Sequence, residues 1–487
     1  MGKSVKISVR DIRENDCDSD ALILPCVEKA HGLYDFIGPS FSQVLKKVFS
    51  REFPGRLNDI LLIPAPDNIR AQRICLVGLG DKEEITSETV RQAGGKAAVY
   101  LREKRMSKIA LSTRVLSSLK VSPADFIEGA LLGLYTFGKF RTQKENGEIR
   151  SFSILSRESQ ELRSELIRAE SISSSVCFTR DLVNTPANEM TPSDLARAAL
   201  SLKNKNLSVR ILERRDVEKL GMHAYLSVAK GSNQPLKFII LEYTGAKEAP
   251  IVLIGKSVTF DSGGISIKPS EGLEKMKYDM AGGAAVLAVM RSVAELKLPV
   301  HLIGILPATE NLLGGSASRP GDVVRAIGGK TIEIISTDAE GRMTLADAIG
   351  FAKRYEPRAI VDIATLTGAC AIALGNAAIG MMGNDRYLLD KMKQSGESVY
   401  ERVWELPLFK EYKEYLKSDV ADLKNSGGRQ GSLSASASFL NEFAGNTKWV
   451  HLDIAGTAYH DKDKPYTPKG ATGIGVRLLF KFILNFI

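Results

Sequence analysis

Short apolar runs alternate with amphipathic stretches along most of the chain, and the alternation predicts strands and helices in turn. In the first 160 or so residues, Ala21-Leu22-Ile23-Leu24-Pro25, Ile60-Leu61-Leu62-Ile63-Pro64 and Ile74-Cys75-Leu76-Val77-Gly78 are continuous apolar runs. Unbroken runs of that length read as strands buried on both faces. Residues 87–105 and 123–137 carry helical spacing instead. The combination predicts a smaller N-terminal α/β domain over residues 1–160 with a mostly parallel sheet.

A Glu-, Arg- and Ser-rich stretch of helical spacing follows, read as a connecting helix over residues 161–182. Asn184-Thr185-Pro186-Ala187-Asn188-Glu189-Met190-Thr191-Pro192 then punctuates the chain, with Thr191 placed to cap a helix starting at Pro192. Beyond it, apolar runs return at residues 238–241, 251–254, 300–305, 332–335, 359–363 and 450–454, with helical stretches between them. These predict a larger C-terminal α/β domain over residues 183–487, a central mixed sheet flanked by helices. The length of 487 residues also asks for more than one core.

Sites in such sheets lie beyond the carboxyl ends of strands. Two polar stretches begin where an apolar run ends: Lys256-Ser257-Val258-Thr259-Phe260-Asp261-Ser262-Gly263-Gly264 and Ser336-Thr337-Asp338-Ala339-Glu340-Gly341-Arg342. With Lys268 and Asp279 they bring together four carboxylates (Asp261, Asp279, Asp338, Glu340), two lysines and an arginine, and no histidine among them. An oxygen-rich set without histidine suits hard divalent cations, and four carboxylates would repel strongly without them. Asp338 and Glu340, two apart, would face one way on an extended segment. Taken singly, each of these residues could be a cap or a surface charge; the set is harder to explain that way.

Composition narrows the classes further. The apolar fraction of 44% and charged fraction of 25% are those of an ordinary globular protein. Five widely spaced cysteines, with no C-x-x-C pair, fit a reducing compartment and neither a disulfide framework nor a zinc ribbon. The N-terminal residues carry no apolar signal core and fail the myristoylation pattern at Lys6, so a cytoplasmic protein is expected. The apolar tail at residues 478–487 is too short to span a bilayer and reads as packing or an oligomer contact. The net charge of +9 permits a DNA-binding role, but the excess is diffuse; only residues 102–108 form a dense basic patch, which a solvated helix end explains. Gly255-Lys256-Ser257 imitates the end of a phosphate-binding loop, yet that motif needs glycine at position 250, which is proline.

The two polar stretches, with Ile265-Ser266-Ile267-Lys268-Pro269, Met276-Lys277-Tyr278-Asp279-Met280, Ser318-Arg319-Pro320-Gly321-Asp322, Ala364-Thr365-Leu366-Thr367-Gly368-Ala369, His451-Leu452-Asp453-Ile454-Ala455-Gly456 and Gly470-Ala471-Thr472-Gly473, closely resemble the leucyl (cytosolic) aminopeptidase family of two-metal exopeptidases. The match runs in unbroken order over residues 180–480 or so. The resemblance implies that Asp261 and Glu340 bridge two divalent ions, that Lys256 and Asp279 complete the tighter site, and that Asp338 completes the exchangeable one. The ions would be zinc or manganese, with magnesium as a further option. It also implies that Lys268 stabilises an oxyanion, that Arg342 holds a bicarbonate, that Met276 lines the side-chain pocket, and that Thr365, Leu366 and Gly368 contact peptide substrate. A homohexamer without membrane association is the implied assembly, and an additional DNA-binding role is known within the family. Ser257 stands where glycine is usual, Ser336 where asparagine is common, and Leu312-Leu313-Gly314 where Met-Pro-Ser is usual.

Overall fold

The computed structural model describes residues 5–28, 52–143 and 147–487. They form two compact units, the first running up to Ser174 and taking in Lys462–Lys469, the second holding the rest. The boundary falls inside one continuous 25-residue helix, Gln160–Asn184, which extends slightly beyond the expected connecting helix at both ends.

The first unit is built on a six-stranded sheet. Its order is Lys6–Arg10, Ser151–Leu155, Lys108–Ser112, Ala21–Val27, Arg73–Gly80 and Ile60–Pro64, parallel throughout except for the last pair. The three apolar runs read from the sequence all become strands here. Helices Ser87–Glu103 and Pro123–Gly133 start where capping chemistry allows: Thr86 closes a capping box, and Ser122 caps with proline at the first helical turn. The two helices approach closely because Gly94 and Gly129 lack side chains. A Cβ would lie 2.1 Å from the Phe126 carbonyl oxygen in one case and 1.9 Å from that of Arg91 in the other.

The second unit is organised around a nine-stranded mixed sheet. Four neighbouring strands, Trp449–Asp453, Ala359–Ala364, Ile251–Gly255 and His301–Asn311, are mutually parallel. They are continuous apolar runs because helices cover both faces, among them Ala281–Glu295 and Glu340–Ala352. Antiparallel partners, Lys237–Thr244 on one side and Ile379–Gly383 on the other, turn the sheet mixed. Ser257–Asp261 adds a short strand beside the end of His301–Asn311, with an irregular register between Val258 and Asp261. The carboxyl ends of the four parallel strands therefore fall on one side of the sheet, carrying Lys256, Asn311, Thr365 and Asp453.

One apolar run does not join this sheet. Thr331–Glu333, from the run at residues 332–335, pairs with Val323–Arg325 and Leu423–Lys424 in a separate three-stranded sheet. Thr191 caps the helix Pro192–Leu200 through a capping box with Asp194. The apolar tail forms the helix Val476–Phe486, and Leu478, Leu479, Phe480, Phe482 and Ile483 are buried within the unit. Among the described residues no helix is long and apolar enough to cross a membrane.

Candidate metal and active site

Lys256 leaves the strand Ile251–Gly255 and turns into a buried pocket of negative charge. Its Nζ lies 2.8 Å from Asp279 Oδ1 and 2.7 Å from Glu340 Oε1, and donates to the Thr365 carbonyl oxygen at 2.9 Å. Burial alone would push this ammonium down, but Asp279, Glu340 and Asp261 outweigh it, and the net shift is upward. The surrounding carboxylates thus favour its charged form. Lys268 does the same for the other two carboxylates: Nζ sits 2.8 Å from Asp261 Oδ2 and pairs with Asp338. Burial again pushes down, and Asp261, Glu340 and Asp338 push up by more.

The carboxylates arrive on different elements. Asp261 ends a strand, and Gly263 and Gly264 follow it with φ of 87° and 65°, a left-handed path that glycine takes without strain. A Cβ at Gly263 would lie 2.4 Å from the Ser266 carbonyl oxygen, so the loop closes on itself there. Asp279 lies in the last turn of a short helical segment, Leu273–Met280, that leads into Ala281–Glu295. Asp338 and Glu340 do not sit on an extended segment as their spacing suggested. Residues 337–338 form a turn and Glu340 opens the helix Glu340–Ala352, so the turn, not strand alternation, aims both side chains inward.

Asp261, Asp338 and Glu340 each offer an oxygen, and these lie within 4.8 Å of one another. Burial raises Asp261, Asp279 and Asp338 above the usual carboxylate range, with Glu340 adding repulsion at Asp261 and Asp279, so the cluster is short of positive charge. Asp279 Oδ2 is buried and, among the described residues, has no hydrogen-bond partner. A close oxygen set with an unsatisfied buried carboxylate oxygen fits a divalent cation.

Side chains outside the two polar stretches hold these groups in place, and of them Asn311 and Asn425 were not singled out from the sequence. Asn311 Nδ2 donates to Asp261 Oδ1 at 2.7 Å and to the Thr337 carbonyl oxygen at 3.0 Å, tying the two polar stretches together. Asn425 accepts from Arg342 Nη1 through its carbonyl at 2.7 Å and donates from Nδ2 to the Ser336 carbonyl at the same distance. Asp453 collects the loop after Ala364, and Thr365 Oγ1 donates to Asp279 Oδ1 at 2.7 Å. Asn311, Thr365 and Asp453 end or follow apolar strands, whereas Asn425 follows the two-residue strand Leu423–Lys424.

Arg342 is buried. Burial lowers its guanidinium to about 10, with Glu340, Asp453 and Asp338 acting in the opposite direction, so it remains charged at neutral pH. Among the described residues it makes no ion pair with a carboxylate, and its Nε has no partner. No histidine joins the acidic cluster among the described residues, but one lies near Arg342. His451 is buried with Nδ1 2.6 Å from Asp362 Oδ1, close enough to Arg342 and Asp453 to feel both charges. The strand Trp449–Asp453 carries it there, although its sequence position lies far from either polar stretch.

The pocket residues are less tightly tied to the cluster. Met276 is half-buried three residues before Asp279, on the same face of a three-residue-per-turn helix. Thr365 is buried, Leu366 half-buried, and Gly368 is exposed at the start of Gly368–Leu374, which Thr367 caps. Ser257 fills space against the next helix, where a Cβ on Gly283 would lie 2.0 Å from its Oγ.

Comparison with known proteins bears directly on this arrangement. The model of the cytosol aminopeptidase family catalytic domain matches residues 177–480, and that of the family's N-terminal domain matches residues 40–144. The chain belongs to the cytosol aminopeptidase family. A probable cytosol aminopeptidase of Geotalea uraniireducens is 47% identical over 462 residues, covering 93% of this chain and 92% of the relative. One from Cenarchaeum symbiosum is 40% identical, covering 94% of each. Among solved structures, the bottromycin maturation enzyme BotP in complex with Mn has a TM-score of 0.86 at 32% identity, covering 96% of this chain and all of that one. Membership makes this chain a peptidase of the metal-dependent aminopeptidase class, and the acidic cluster is where a metal fits.

Proposed function

We propose that the chain removes N-terminal residues from peptides, with apolar residues such as leucine preferred, at the cluster of Asp261, Asp279, Asp338 and Glu340. The observation carrying this reading is the convergence of three carboxylate oxygens within 4.8 Å beside two lysines and an uncompensated arginine. Asp261, Asp279, Asp338 and Glu340 would hold two divalent ions together with Lys256, which would give up its proton to do so. Manganese is favoured because the BotP structure contains it, with zinc or magnesium as alternatives. Bound there, such ions supply an acidified water for peptide hydrolysis and an anchor for the substrate amino group.

The remaining roles belong to the chain's own groups. Lys268 is partly exposed and cationic, and its ammonium would stabilise the oxyanion that develops on a substrate carbonyl. Arg342, with Nε free, would hold a bicarbonate-type anion able to accept a proton from the attacking water. Met276 would line the side-chain pocket, while Thr365, Leu366 and Gly368 would contact the peptide backbone. An apolar pocket separates neighbouring side chains by only a few kcal/mol at most, roughly 1–3 kcal/mol per methylene, so the preference would be broad. A cytoplasmic homohexamer is the expected working form.

Hydrolysis of leucine p-nitroanilide before and after chelation tests this reading. Loss with chelator and recovery with manganese or zinc supports it. A metal-loaded protein inert towards a panel of N-terminal residues would refute it.

A further inference from the structure

The end of the strand Trp449–Asp453 carries a carboxylate in a place where the sheet itself has no use for one. Asp453 is fully buried. An apolar side chain would serve the core there equally well, because a buried carboxylate is costly unless donors surround it. The donors come from the loop that follows Ala359–Ala364 and from its own chain. Oδ1 accepts from the backbone N–H of Leu366 at 3.2 Å, of Thr367 at 3.5 Å and of Ala455 at 3.1 Å, while Oδ2 accepts from Thr367 Oγ1 at 2.6 Å.

That loop begins at Thr365, which makes two contacts with the acidic cluster. Its carbonyl oxygen receives Lys256 Nζ at 2.9 Å, and its hydroxyl donates to Asp279 Oδ1 at 2.7 Å. A chain of hydrogen bonds therefore runs from Asp453 through residues 365–367 to the two groups read as the tighter half of the metal site. Neither end is adjacent in sequence to the other.

We propose that Asp453 is a positioning residue. By fixing the loop at residues 365–367, it sets where Lys256 and Asp279 stand and so tunes metal affinity, without touching metal or substrate. This rests on the metal-site reading above. Partners one shell removed from a metal commonly change affinity by roughly 10–100-fold when lost.

The test compares the full-length protein with Asp453→Ala and Asp453→Asn, each stripped of metal and titrated with manganese alone by calorimetry. Amide hydrogen exchange at Leu366 and Thr367 is followed in parallel. Asp453→Ala should exchange those two amides faster and bind manganese about 10–100-fold more weakly. Asp453→Asn retains an acceptor for the backbone N–H groups and should stay within a few-fold of wild type. Wild-type manganese affinity in a folded Asp453→Ala protein, or equal weakness in both variants, would overturn the proposal. If Asp453→Ala does not fold, Thr367→Val removes the Oδ2 contact together with the Oγ1 cap on the Cys370 N–H, and Thr367→Ser, which keeps both, serves as its control. Thr367→Val should weaken manganese binding several-fold, and wild-type affinity there would likewise overturn the proposal. Failure of the wild-type protein to bind manganese would instead refute the metal-site reading, and the amide exchange separates that result from a failure of Asp453.

Discussion

Gly341 has no side chain because Lys256 occupies the space one would fill: a Cβ at 341 would lie 2.6 Å from Lys256 Cε and 2.8 Å from Nζ. A lysine tip can usually swing aside. This one is held by Asp279, Glu340 and the Thr365 carbonyl, so it cannot move without giving up a charged partner. Gly341→Ala is expected to lower kcat by roughly ten-fold or more, about 1.4 kcal/mol. The overpacking cost to stability should be about 1–3 kcal/mol. Steady-state kinetics beside a urea melt would check both, and unchanged kcat would show that Lys256 is free to relocate.

Ser257 and Gly283 should behave as a coupled pair. Gly283→Ala places a methyl 2.0 Å from Ser257 Oγ, whereas Ser257→Gly removes that atom and leaves the Lys256 carbonyl oxygen at 3.2 Å as the next obstacle. A double-mutant cycle is expected to show that Ser257→Gly rescues much of the Gly283→Ala loss, with a coupling of about 1–3 kcal/mol. Simple additivity would mean that the helix Ala281–Glu295 shifts instead.

Removing cluster carboxylates should abolish turnover with unequal effects on folding. The Asp338 side chain is 38% exposed, so Asp338→Ala should unfold at nearly the wild-type temperature. Glu340 is 3% exposed and pairs with an equally buried Lys256. Stripping one partner from such a pair costs about 3–5 kcal/mol, which makes Glu340→Gln the cleaner substitution. Leucine p-nitroanilide turnover and differential scanning calorimetry on each variant would decide. Wild-type turnover in Asp338→Ala or Glu340→Gln would remove that residue from the site.

Asp347 should make stability fall as pH rises towards neutrality. Burial pushes its carboxyl up to about 7, against the opposing pull of backbone N–H groups that include Tyr225 at 2.8 Å and Ile327 at 2.7 Å. An unfolded aspartate titrates near 3.9. Between those values the folded protein keeps a proton that the unfolded chain has released. The contribution is therefore fully present below about 3.9 and lost as pH rises through about 7. The full change is on the order of 4 kcal/mol. Denaturant titrations at pH 5, 6 and 7 should show the wild-type advantage over Asp347→Ala shrinking with pH; a constant difference would mean the carboxyl is ionised throughout.

What the sequence disclosed follows from where its signals were local. Lys256, Asp261, Asp338, Glu340 and Arg342 sit in two short stretches of unusual composition, and the parallel strands that present them are unbroken apolar runs. Asn311 and Asn425 gave no such signal, and Asp453 and His451 entered only within a matched stretch that assigned them no role. Each is a single polar residue near the end of an apolar or ordinary segment, and its partner lies tens of residues away, as Asn311 does from Asp261 and Asp453 from Leu366. The turn that aims Asp338 and Glu340 together was likewise hidden, because a two-residue spacing is compatible with strand or turn until the helix start at Glu340 is known. Thr331–Glu333 was legible as a strand but not as a member of a different sheet, since an apolar run does not say which edge it will join.

The segment Lys462–Lys469 has a consequence for how the molecule is made. It groups with the first unit, where the Tyr466 hydroxyl lies 3.0 and 2.9 Å from the two carboxylate oxygens of Glu88, and Gly95 leaves room for the Pro465 carbonyl oxygen. The N-terminal unit therefore contains a piece of chain that follows Glu88 by 378 residues. During translation its sheet and helices can form early, but Glu88 must wait for Tyr466 until residues 175–461 of the second unit have been synthesised. A fragment ending before residue 462 would carry an N-terminal unit with one buried carboxylate still short of the Tyr466 hydroxyl.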